Sequence, residues 1–423
     1  MTLTRLARAA LGAAVLFKAL DARAEDVCTR ITRDSVVPCA LRASLSARAE
    51  RHSLQAAAGR EESARTILPS NPVLSGWVAR RSASEGADVN WSATLAQEVE
   101  LAGQRGARRR ASAYAREAEA EVVRVTERDA AADALRSYFE TVAARQQLAL
   151  TRDLTATARR VADAAKGAAA HGVIAGVDAD LADAALVAVE DAVLSREQKA
   201  REASATLSAL LGLPTSTDLA VEGTLSPLAV AGELSASGGL RGVRRPEVRA
   251  LEDQSHAELA RADVFRRQRI PSPTISAFIE RDGFSERVLG VGLSLPIPLP
   301  HPLGQTYTGE IAESEALARA AVTRAAQAER EASKDTSRAL ARYDAARRRA
   351  ALYGPERTVR ARESLDRMAS EIEAGRLAVR DAVVAQEALI ELLLAALVAN
   401  EDLCVASVDV ARAAGVALER GTP

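Results

Sequence analysis

The chain has 423 residues, a formal net charge of −1 and an apolar fraction of 48%. This is enough material for one large core or for two or three cores of ordinary domain size, and the near-zero charge gives no sign of nucleic-acid binding. Cys28, Cys39 and Cys404 lack zinc-type spacing, and four histidines add little material for a metal centre. Abundant alanine and only 3% aromatic residues are typical of long, closely packed helices.

The first 24 residues have the pattern of a signal peptide. Two arginines precede the apolar run AALGAAVLF, and small residues at 22–24 fit a cleavage site. Lys18 interrupts the late apolar region and favours the alternative, an ordinary amphipathic helix. Export would permit a disulfide between Cys28 and Cys39, although free thiols fit the sequence as well. The residues before Cys28 do not form a lipobox, so we expect no lipid anchor.

A membrane-spanning helix is excluded by the sequence after this segment. No run of about 18 uncharged apolar residues follows, which is close to the length that a spanning helix needs. The strongest candidate, ALIELLLAALVAN, is short and is interrupted by Glu391.

The first half of the chain combines a helix, two strands and a long helical hairpin. A helical stretch ends before Pro69, and NPVLSGWVA and DVNWSATLAQEVEL follow as strands, the second with apolar residues at every other position from Val89 to Leu95. Sixty residues without Gly or Pro, Ala107 to Lys166, predict one helix, about 90 Å long. GAAAHGVIAG ends this helix, and a second one runs from Val177 to Leu211.

The second half repeats this order. RRPEVRALEDQSHAELARADVFRRQ is the leading helix, and PTISAFIE and ERVLGVGLSLPIP are the strands. A long helix from Glu310 is expected to bend, without ending, at Gly354 and Pro355, to turn at Gly375 and to return as far as Ala414. We therefore predict a mainly α chain with a small β part, built from two repeats at about 40–225 and 240–415 of the mature segment 25–423.

The four strands can enter a membrane only if several chains combine. Spanning barrels need at least eight strands, and lipid does not tolerate an open edge, so three chains would supply twelve strands. The alternative is a soluble sheet covered by the helices. The first strand, taken as Val73 to Ala79, is short for a span, which places Arg80 and Arg81 at the outer rim. The only candidates for an aromatic belt are Trp77, Trp91, Phe278 and Phe284.

The order of elements resembles the TolC-type outer-membrane efflux proteins across nearly the whole mature chain. LPSNPVLSGWV resembles the start of the family's first strand, and QEVELAGQRGARRRASAYAREAE resembles the strand-to-helix junction of its CzcC-like, heavy-metal branch. LGVGLSLPIPLPHPLGQTYTGEIAESEA resembles the same junction in the second repeat, and EAGRLAVRDAVVAQEAL resembles the turn at the periplasmic end.

This resemblance implies a homotrimeric exit duct that is not an enzyme and holds no cofactor. A twelve-stranded barrel would lie in the outer-membrane lipid, and a helical tunnel would project into the periplasm. The duct would dock through a periplasmic adaptor onto an inner-membrane pump of the resistance-nodulation-division type and would release divalent metal ions or small toxic compounds. The alternatives are the outer-membrane component of a type I secretion system, and a periplasmic coiled-coil adaptor or scaffold.

Two similar glycine turns, 203 residues apart, would be the inner tips of this tunnel. Glycine suits a helix end that reverses with a positive φ. Apolar residues beside charges at an exposed tip favour a docking surface for the adaptor, whereas the alternative is that they only pack against a neighbouring hairpin. The candidate docking residues are Gly172, Val173, Ile174, Gly176, Gly375, Arg376, Leu377, Ala378 and Val379.

Charged residues near the tips and below the strands have two interpretations each. Asp178, Glu371 and Asp381 would form rings of three carboxylates in a trimer and could constrict the pore, or they could be solvated. His171 is more simply an exposed turn residue than a metal ligand, and the cluster at Arg108 to Arg110 is more simply a solvated face than a lipid contact. No phosphate-binding loop, zinc-type histidine pair or nucleophile motif is recognisable, so no catalytic residue is assigned.

Overall fold

The computed structural model describes residues 28, 30–83, 86–214, 219–237, 244–281, 286–416 and 418. The predicted signal peptide at 1–24 and Phe284 lie outside the described residues. The chain divides into two compact units. The helical unit comprises 1–48, 126–243 and 331–423, and the sheet unit comprises 49–125 and 244–330.

Helices dominate the described chain. The helices, in chain order, are α1 (Arg33–Ala43), α2 (Leu45–Ala64), α3 (Gln104–Ala170), α4 (Gly176–Leu210), α5 (Ala229–Ala236), α6 (Pro246–Gln268), α7 (Thr308–Leu352), α8 (Pro355–Glu373) and α9 (Val379–Ala413). Three of them, α2, α3 and α7, contribute residues to both units. The uninterrupted α3 of 67 residues confirms the single helix expected from the stretch without Gly or Pro.

The sheet unit contains a four-stranded antiparallel sheet. Its strands are β2 (Val73–Ala83), β3 (Gly86–Glu98), β5 (Thr274–Arg281) and β6 (Arg287–Ser294), in the order β2-β3-β5-β6. One strand pair therefore comes from each half of the sequence, and the two pairs join through β3 and β5. Two short strands in the helical unit, β1 (Arg30–Ile31) and β4 (Ala220–Val221), pair in parallel.

The prediction that the first strand ends at Ala79 is wrong, because β2 continues to Ala83. Arg80 pairs with Val89 and Arg81 pairs with Asp88, so the polar segment after Ala79 is part of the hairpin ladder. The strand has 11 residues, which is long enough for a tilted spanning strand of about 9–11 residues.

The expected bend at Gly354 and Pro355 is instead a complete break between α7 and α8. Gly354 has φ −56° and ψ 157°, an extended conformation, and serves as the N-cap of α8 with Pro355 in its first turn. Proline lacks the N–H for a helical hydrogen bond and disfavours helical geometry in the residue before it. Both effects act at the same step, so the first helix ends at Leu352.

The sequence criterion that excluded a spanning helix was too strict for α9. This helix, Val379–Ala413, contains an 18-residue window with a mean hydropathy of 2.0. Packing accounts for part of its apolar character, because all three buried clusters of the helical unit include residues of α9, such as Cys404, Leu393 and Val410. Only 33% of the apolar window is buried within the chain.

A disulfide between Cys28 and Cys39 decides between the two alternatives for these cysteines. It ties the segment before β1 to α1, while Cys404 is free and buried. The Tyr138 hydroxyl donates a hydrogen bond of 2.9 Å to the Glu222 carbonyl, next to the short parallel strand pair. Cys28 and Ile31 thereby belong to the largest of the buried clusters, Ile31 as a buried member and Cys28 packed against it.

Candidate functional site

The four-stranded sheet has one apolar face that is exposed to solvent. Register partners in adjacent strands share a face, and side chains alternate along each strand. Leu289 and Val291 on β6 are 82% and 84% exposed, and Leu74 and Val78 on β2 are 75% and 77% exposed. Among the described residues no helix covers this face, so the alternative of a soluble sheet buried under helices is wrong. The face comprises Leu74, Gly76, Val78, Val89, Trp91, Ala93, Leu95, Ile275, Ala277, Ile279, Leu289, Val291 and Leu293.

Arginines end the apolar face at the side of the hairpin turns. Arg281 pairs with both Trp91 and Arg287, and Arg80 pairs with Val89. Arg81, by contrast, lies on the opposite face beside Asp88. An apolar band that ends in a row of guanidinium groups is typical of a surface that passes from lipid tails to polar headgroups.

The opposite face of the sheet is polar and contains two of the aromatic residues that were candidates for a belt. Trp77 pairs with Ser92, and Phe278 pairs with Thr94 and Gly290. A Cβ atom at Gly290 would lie only 2.4 Å from the Phe278 ring, so glycine is needed for this ring to rest on the strand. Of the described aromatic candidates, only Trp91 lies on the apolar face.

The two predicted tips have the same backbone geometry. Gly172 and Gly375 have φ of +69° and +67°, as the sequence predicted. At the first tip the N–H groups of Gly172 and Val173 bond the carbonyls of Ala169 and Ala168, at 3.0 and 2.9 Å. Gly375 and Arg376 bond Ile372 and Glu371 in the same way, both at 2.9 Å. Each pair of bonds defines a Schellman motif.

The returning helices also start at equivalent positions. Ala175 and Ala378, each three residues after the glycine, are the N-caps of α4 and α9, and both are extended. The sequence repeat therefore encodes a complete turn of helix end, reversal and helix start.

Exposure divides the candidate docking residues into two groups. Val173 is 70% exposed, and Gly172, Gly176, Gly375, Arg376 and Ala378 are exposed as well. Val379 is only 2% exposed, and Ile174 and Leu377 are half-buried against the buried cluster of the hairpins. The expectation that all the apolar tip residues are exposed is thus wrong for Ile174, Leu377 and Val379. These three close the tip by packing against adjacent helices.

Alanine at either tip glycine should destabilise the protein through the backbone alone. No atom lies within 4 Å of a Cβ built on Gly172 or Gly375. Left-handed geometry costs a non-glycine residue about 1–2 kcal/mol, so Gly172→Ala and Gly375→Ala should each lower the free energy of unfolding by that amount. Gly167, inside α3, has equally open surroundings, and Gly167→Ala should raise stability by about 0.5–1 kcal/mol. Urea unfolding of the three variants checks both signs; equal effects at Gly167 and Gly375 would contradict the argument.

The candidate constriction carboxylates have different partners. Arg376 binds Glu371 through two hydrogen bonds of 2.6 and 2.9 Å, and this hydrogen bonding holds the pKa of the Glu371 carboxyl below its usual value. Asp178 lies 3.9 Å from Arg380 of the other hairpin. Asp381 is exposed, and no described cation lies within 4.0 Å of it. Each of the three carboxylates is therefore in a different electrostatic environment.

A ladder of ion pairs joins α3 and α4 in the first hairpin. Lys166, Arg159 and Arg152 bind Asp183, Glu190 and Glu197 at 2.6, 2.6 and 2.7 Å. The pairs recur every seven residues, with the cation always on α3. Ala369 and Gln386 occupy the second-hairpin positions that match Lys166 and Asp183 at the 203-residue offset. The sequence analysis missed this ladder, although the heptad spacing of the three cations was visible in it.

His171 is an exposed turn residue, whereas two of the three clustered arginines form ion pairs instead of a merely solvated face. His171 is exposed, and its Nδ1 lies 2.7 Å from the Gly167 carbonyl oxygen. The described residues contain no group of three His, Cys, Asp or Glu arranged to hold a metal ion. Arg108 and Arg110 form ion pairs with Glu100 and Asp263 of the sheet unit.

A hydrogen-bond chain connects three helices near the middle of the helical unit. Arg196 on α4 donates to the Gln147 side-chain oxygen on α3, and Gln147 Nε2 donates to Glu401 Oε2 on α9 at 3.1 Å. Burial raises the pKa of the Glu401 carboxyl to about 7, and the nearby carboxylates of Asp402 and Glu140 add to this shift.

The raised pKa of Glu401 makes stability depend on pH. The folded carboxyl holds its proton up to about pH 7, whereas its ordinary pKa is 4.5. The stabilisation from the protonated form is therefore complete below about pH 4.5 and is lost as the pH rises to about 7. We expect the free energy of unfolding to fall over this interval and Glu401→Gln to flatten the dependence. Chemical unfolding at several pH values tests this, and an unchanged slope in Glu401→Gln would contradict it.

Solved structures of outer-membrane and channel proteins share this fold. The outer membrane protein VceC from Vibrio cholerae has a TM-score of 0.70 and 17% identity, with 90% of this chain and 96% of that chain covered. The open state of the MtrE outer membrane channel from Neisseria gonorrhoeae has a TM-score of 0.69 and 17% identity, covering 92% and 90%. CusC, whose structures concern folding and transmembrane channel formation, has a TM-score of 0.70 and 16% identity, with 90% of this chain and 92% of that chain covered. The chain therefore has the fold of outer-membrane channel proteins.

A family match supports the same class. Residues 43–213 match the model of the outer membrane efflux protein family, a stretch that contains β2, β3 and the first helical hairpin. No curated protein matches the chain. The matched family is one of outer-membrane efflux proteins, and CusC and MtrE are described as channels, which supports the resemblance drawn from the sequence at the level of the family.

Proposed function

We propose that this chain is the outer-membrane channel of a tripartite efflux system. The observation that carries the proposal is the exposed apolar face of an open four-stranded sheet. A soluble protein would lose solubility through such a face, whereas lipid would cover it at no cost. The polar face would then line the pore, and the helical hairpins would project into the periplasm.

A homotrimer with a twelve-stranded barrel follows from the same sheet. The outer edges of β2 and β6 have no partner strand within the described chain, and β6 of one copy could pair with β2 of the next in antiparallel fashion. A second surface supports assembly. Helix α4 exposes a stripe of apolar or small residues, where another copy could pack: Val177, Leu181, Ala184, Val187, Ala188 and Leu194.

Membrane fractionation and mass measurement test the channel and its oligomeric state together. We expect the protein in the outer-membrane fraction, resistant to salt extraction, and in mild detergent at the mass of three chains. A monodisperse monomer that retains its helical content would contradict the trimer. Release by salt would favour a soluble coiled-coil scaffold.

The tips would contact a periplasmic adaptor, which in turn would bind an inner-membrane pump of the resistance-nodulation-division type. The matched Schellman turns support this assignment, because they give each chain two nearly equivalent ends.

Divalent metal ions and small toxic compounds are both candidate cargoes, and the CzcC-like sequence resemblance favours metal ions. A periplasmic adaptor would instead have a single hairpin, whereas this chain has two. A type I secretion channel would share the fold and would be distinguished by its partner pump.

Asp178, Glu371 and Asp381 would constrict the inner end of the pore. Carboxylates from three chains would concentrate negative charge there and select cations. Replacing each by alanine should raise single-channel conductance or lower cation selectivity in planar bilayers, with the largest selectivity change at Asp381, whose charge has no close described cation. Glu62→Ala, an exposed change in the sheet unit, is the control. If all three variants conduct like the parent, the constriction lies elsewhere.

A further inference from the structure

A cavity lies in the sheet unit where the strands meet the helices. Its volume is about 780 Å³, within the usual range of small-molecule sites. The N-terminal turn of α3, the end of β3 and the proline-rich loop after β6 all contribute to its wall. Among the residues that line it are two carboxylates, Glu98 and Glu100, and two arginines, Arg108 and Arg269.

Glu100, which lines this cavity, has a buried oxygen without a partner. Its side chain is 10% exposed, and Arg108 binds only Oε1. Oε2 is buried and accepts no hydrogen bond from any described residue. A buried carboxylate oxygen in this condition loses its hydration without compensation, which costs about 1–3 kcal/mol or more. A ligand with a cationic N–H donor would remove this cost.

The unpartnered groups of the wall favour a ligand that donates hydrogen bonds. Arg108 offsets the charge of Glu100, and Arg269 donates to the Thr306 carbonyl at 2.9 Å and to Thr308 Oγ1 at 3.3 Å, two neutral acceptors that leave its charge in place. The charges of these two arginines and two carboxylates therefore sum to zero. Glu98 has no ion-pair partner within 4.0 Å among the residues described, so the groups open to a ligand are carboxylate oxygens, which accept hydrogen bonds from an ammonium group.

The rest of the wall favours an organic cation over a metal ion. Ile270, Ile297 and Leu299 line the cavity together with several prolines. The described residues offer no set of three His, Cys, Asp or Glu that could hold a metal. An aliphatic chain could contact these apolar residues while its ammonium group contacts the carboxylates.

The cavity is reached from the polar side of the sheet. Glu98 pairs with Thr274, and both residues line the cavity. They lie on the same face as Thr94 and Ser92, because side chains two residues apart along a strand share a face. In the proposed barrel this is the face toward the pore, so a solute in the channel could enter.

We propose that this cavity binds a primary alkylammonium ion, with the ammonium group on Glu100 Oε2 and Glu98 and the alkyl chain on Ile270, Ile297 and Leu299. Binding of the ion does not depend on the proposed function. A role of this cavity in contacting cationic organic cargo does rest on the proposed function.

The test uses the purified full-length protein in detergent and n-butylammonium as the probe, followed by ligand-observed NMR titration. We expect saturable binding of butylammonium, with 1-butanol and butyrate at least about tenfold weaker, since a charge-assisted hydrogen bond contributes about 1.5–3 kcal/mol. Glu100→Gln keeps the size of the side chain and removes the charge, so it should weaken butylammonium binding about tenfold. Glu62→Gln, an exposed change outside the cavity, should bind like the parent.

Glu98→Gln is the second variant, because the loss of the Arg108 ion pair could unfold Glu100→Gln. It should also weaken butylammonium binding. Parent-like binding in Glu98→Gln and in a folded Glu100→Gln, or equal binding of butanol, would overturn the proposal. Bilayer conductance is measured separately on the same samples. If the protein conducts ions in bilayers but does not bind butylammonium, only the cavity proposal is overturned. If it binds butylammonium but is a monomer, only the trimeric channel is overturned.

Discussion

Arginine in place of Leu289 or Val291 should prevent the protein from accumulating in the outer membrane. Both side chains point out from the apolar face of β6 and are more than four-fifths exposed. Arginine near the middle of a bilayer costs about 2–4 kcal/mol, and less toward the interface, where Leu289 lies next to the Arg281–Arg287 pair. In the proposed trimer each substitution occurs three times, so the total penalty at Val291 would be about 6–12 kcal/mol, comparable to the whole stability of a typical domain, and we expect a smaller loss at Leu289. Quantifying the protein in isolated outer membranes measures the effect.

Val288 supplies a matched control for this prediction. It is the neighbour of Leu289 on the same strand, but it lies on the polar face, where its register partner is Glu280. Arginine at 288 would lie opposite a carboxylate in a solvated pore, and opposite charges across a strand pair are favourable. Val288→Arg should therefore insert normally. Equal loss of Val288→Arg and Leu289→Arg would show that the two faces are not distinguished by lipid.

The long helices, the strands and the two glycine turns were readable from the sequence because their signals are local. Hydrophobic alternation, the stretch without Gly or Pro, and two similar glycine turns each reflect the conformation of a short segment. The glycine turns were the most informative, since a positive φ at Gly172 and Gly375 follows from the requirement that a helix ends and reverses. The equal spacing of three residues from each glycine to the following N-cap follows from the same geometry.

Features that depend on distant partners were not readable. Val379 and Val173 have similar side chains beside similar turns, yet one is buried and the other exposed, because Val379 meets a buried cluster formed by other helices. The extension of β2 through Arg80 and Arg81 depends on pairing with β3 and overrides the polar composition of that segment. The free oxygen of Glu100 depends on how the strand and helix ends meet, which no sequence pattern specifies.

Aspartate at the exposed tip residues should abolish adaptor docking while the channel remains assembled. Val173 and Ala378 are exposed at the two tips, and an apolar contact in the centre of an interface contributes about 2 kcal/mol or more. A charge at such a contact would also require desolvation without a partner. We expect the double variant Val173→Asp/Ala378→Asp to lose export and adaptor cross-linking, with normal insertion and a normal trimer mass in detergent.

Variants of the buried residues at the same tips distinguish adaptor docking from packing that only closes the tip. Ile174 and Leu377 contact the buried cluster of the hairpins, so Ile174→Asp and Leu377→Asp should lower the stability of the helical unit, detected as an earlier urea transition or faster proteolysis at the tip. Val173→Asp/Ala378→Asp should lower neither stability nor resistance to proteolysis, because both side chains are exposed and aspartate at Ala378, the N-cap of α9, favours the start of that helix. Normal export by the double variant would refute the docking role of the tips. Loss of its trimer would instead mean that Val173 and Ala378 pack against a neighbouring hairpin in the assembled channel.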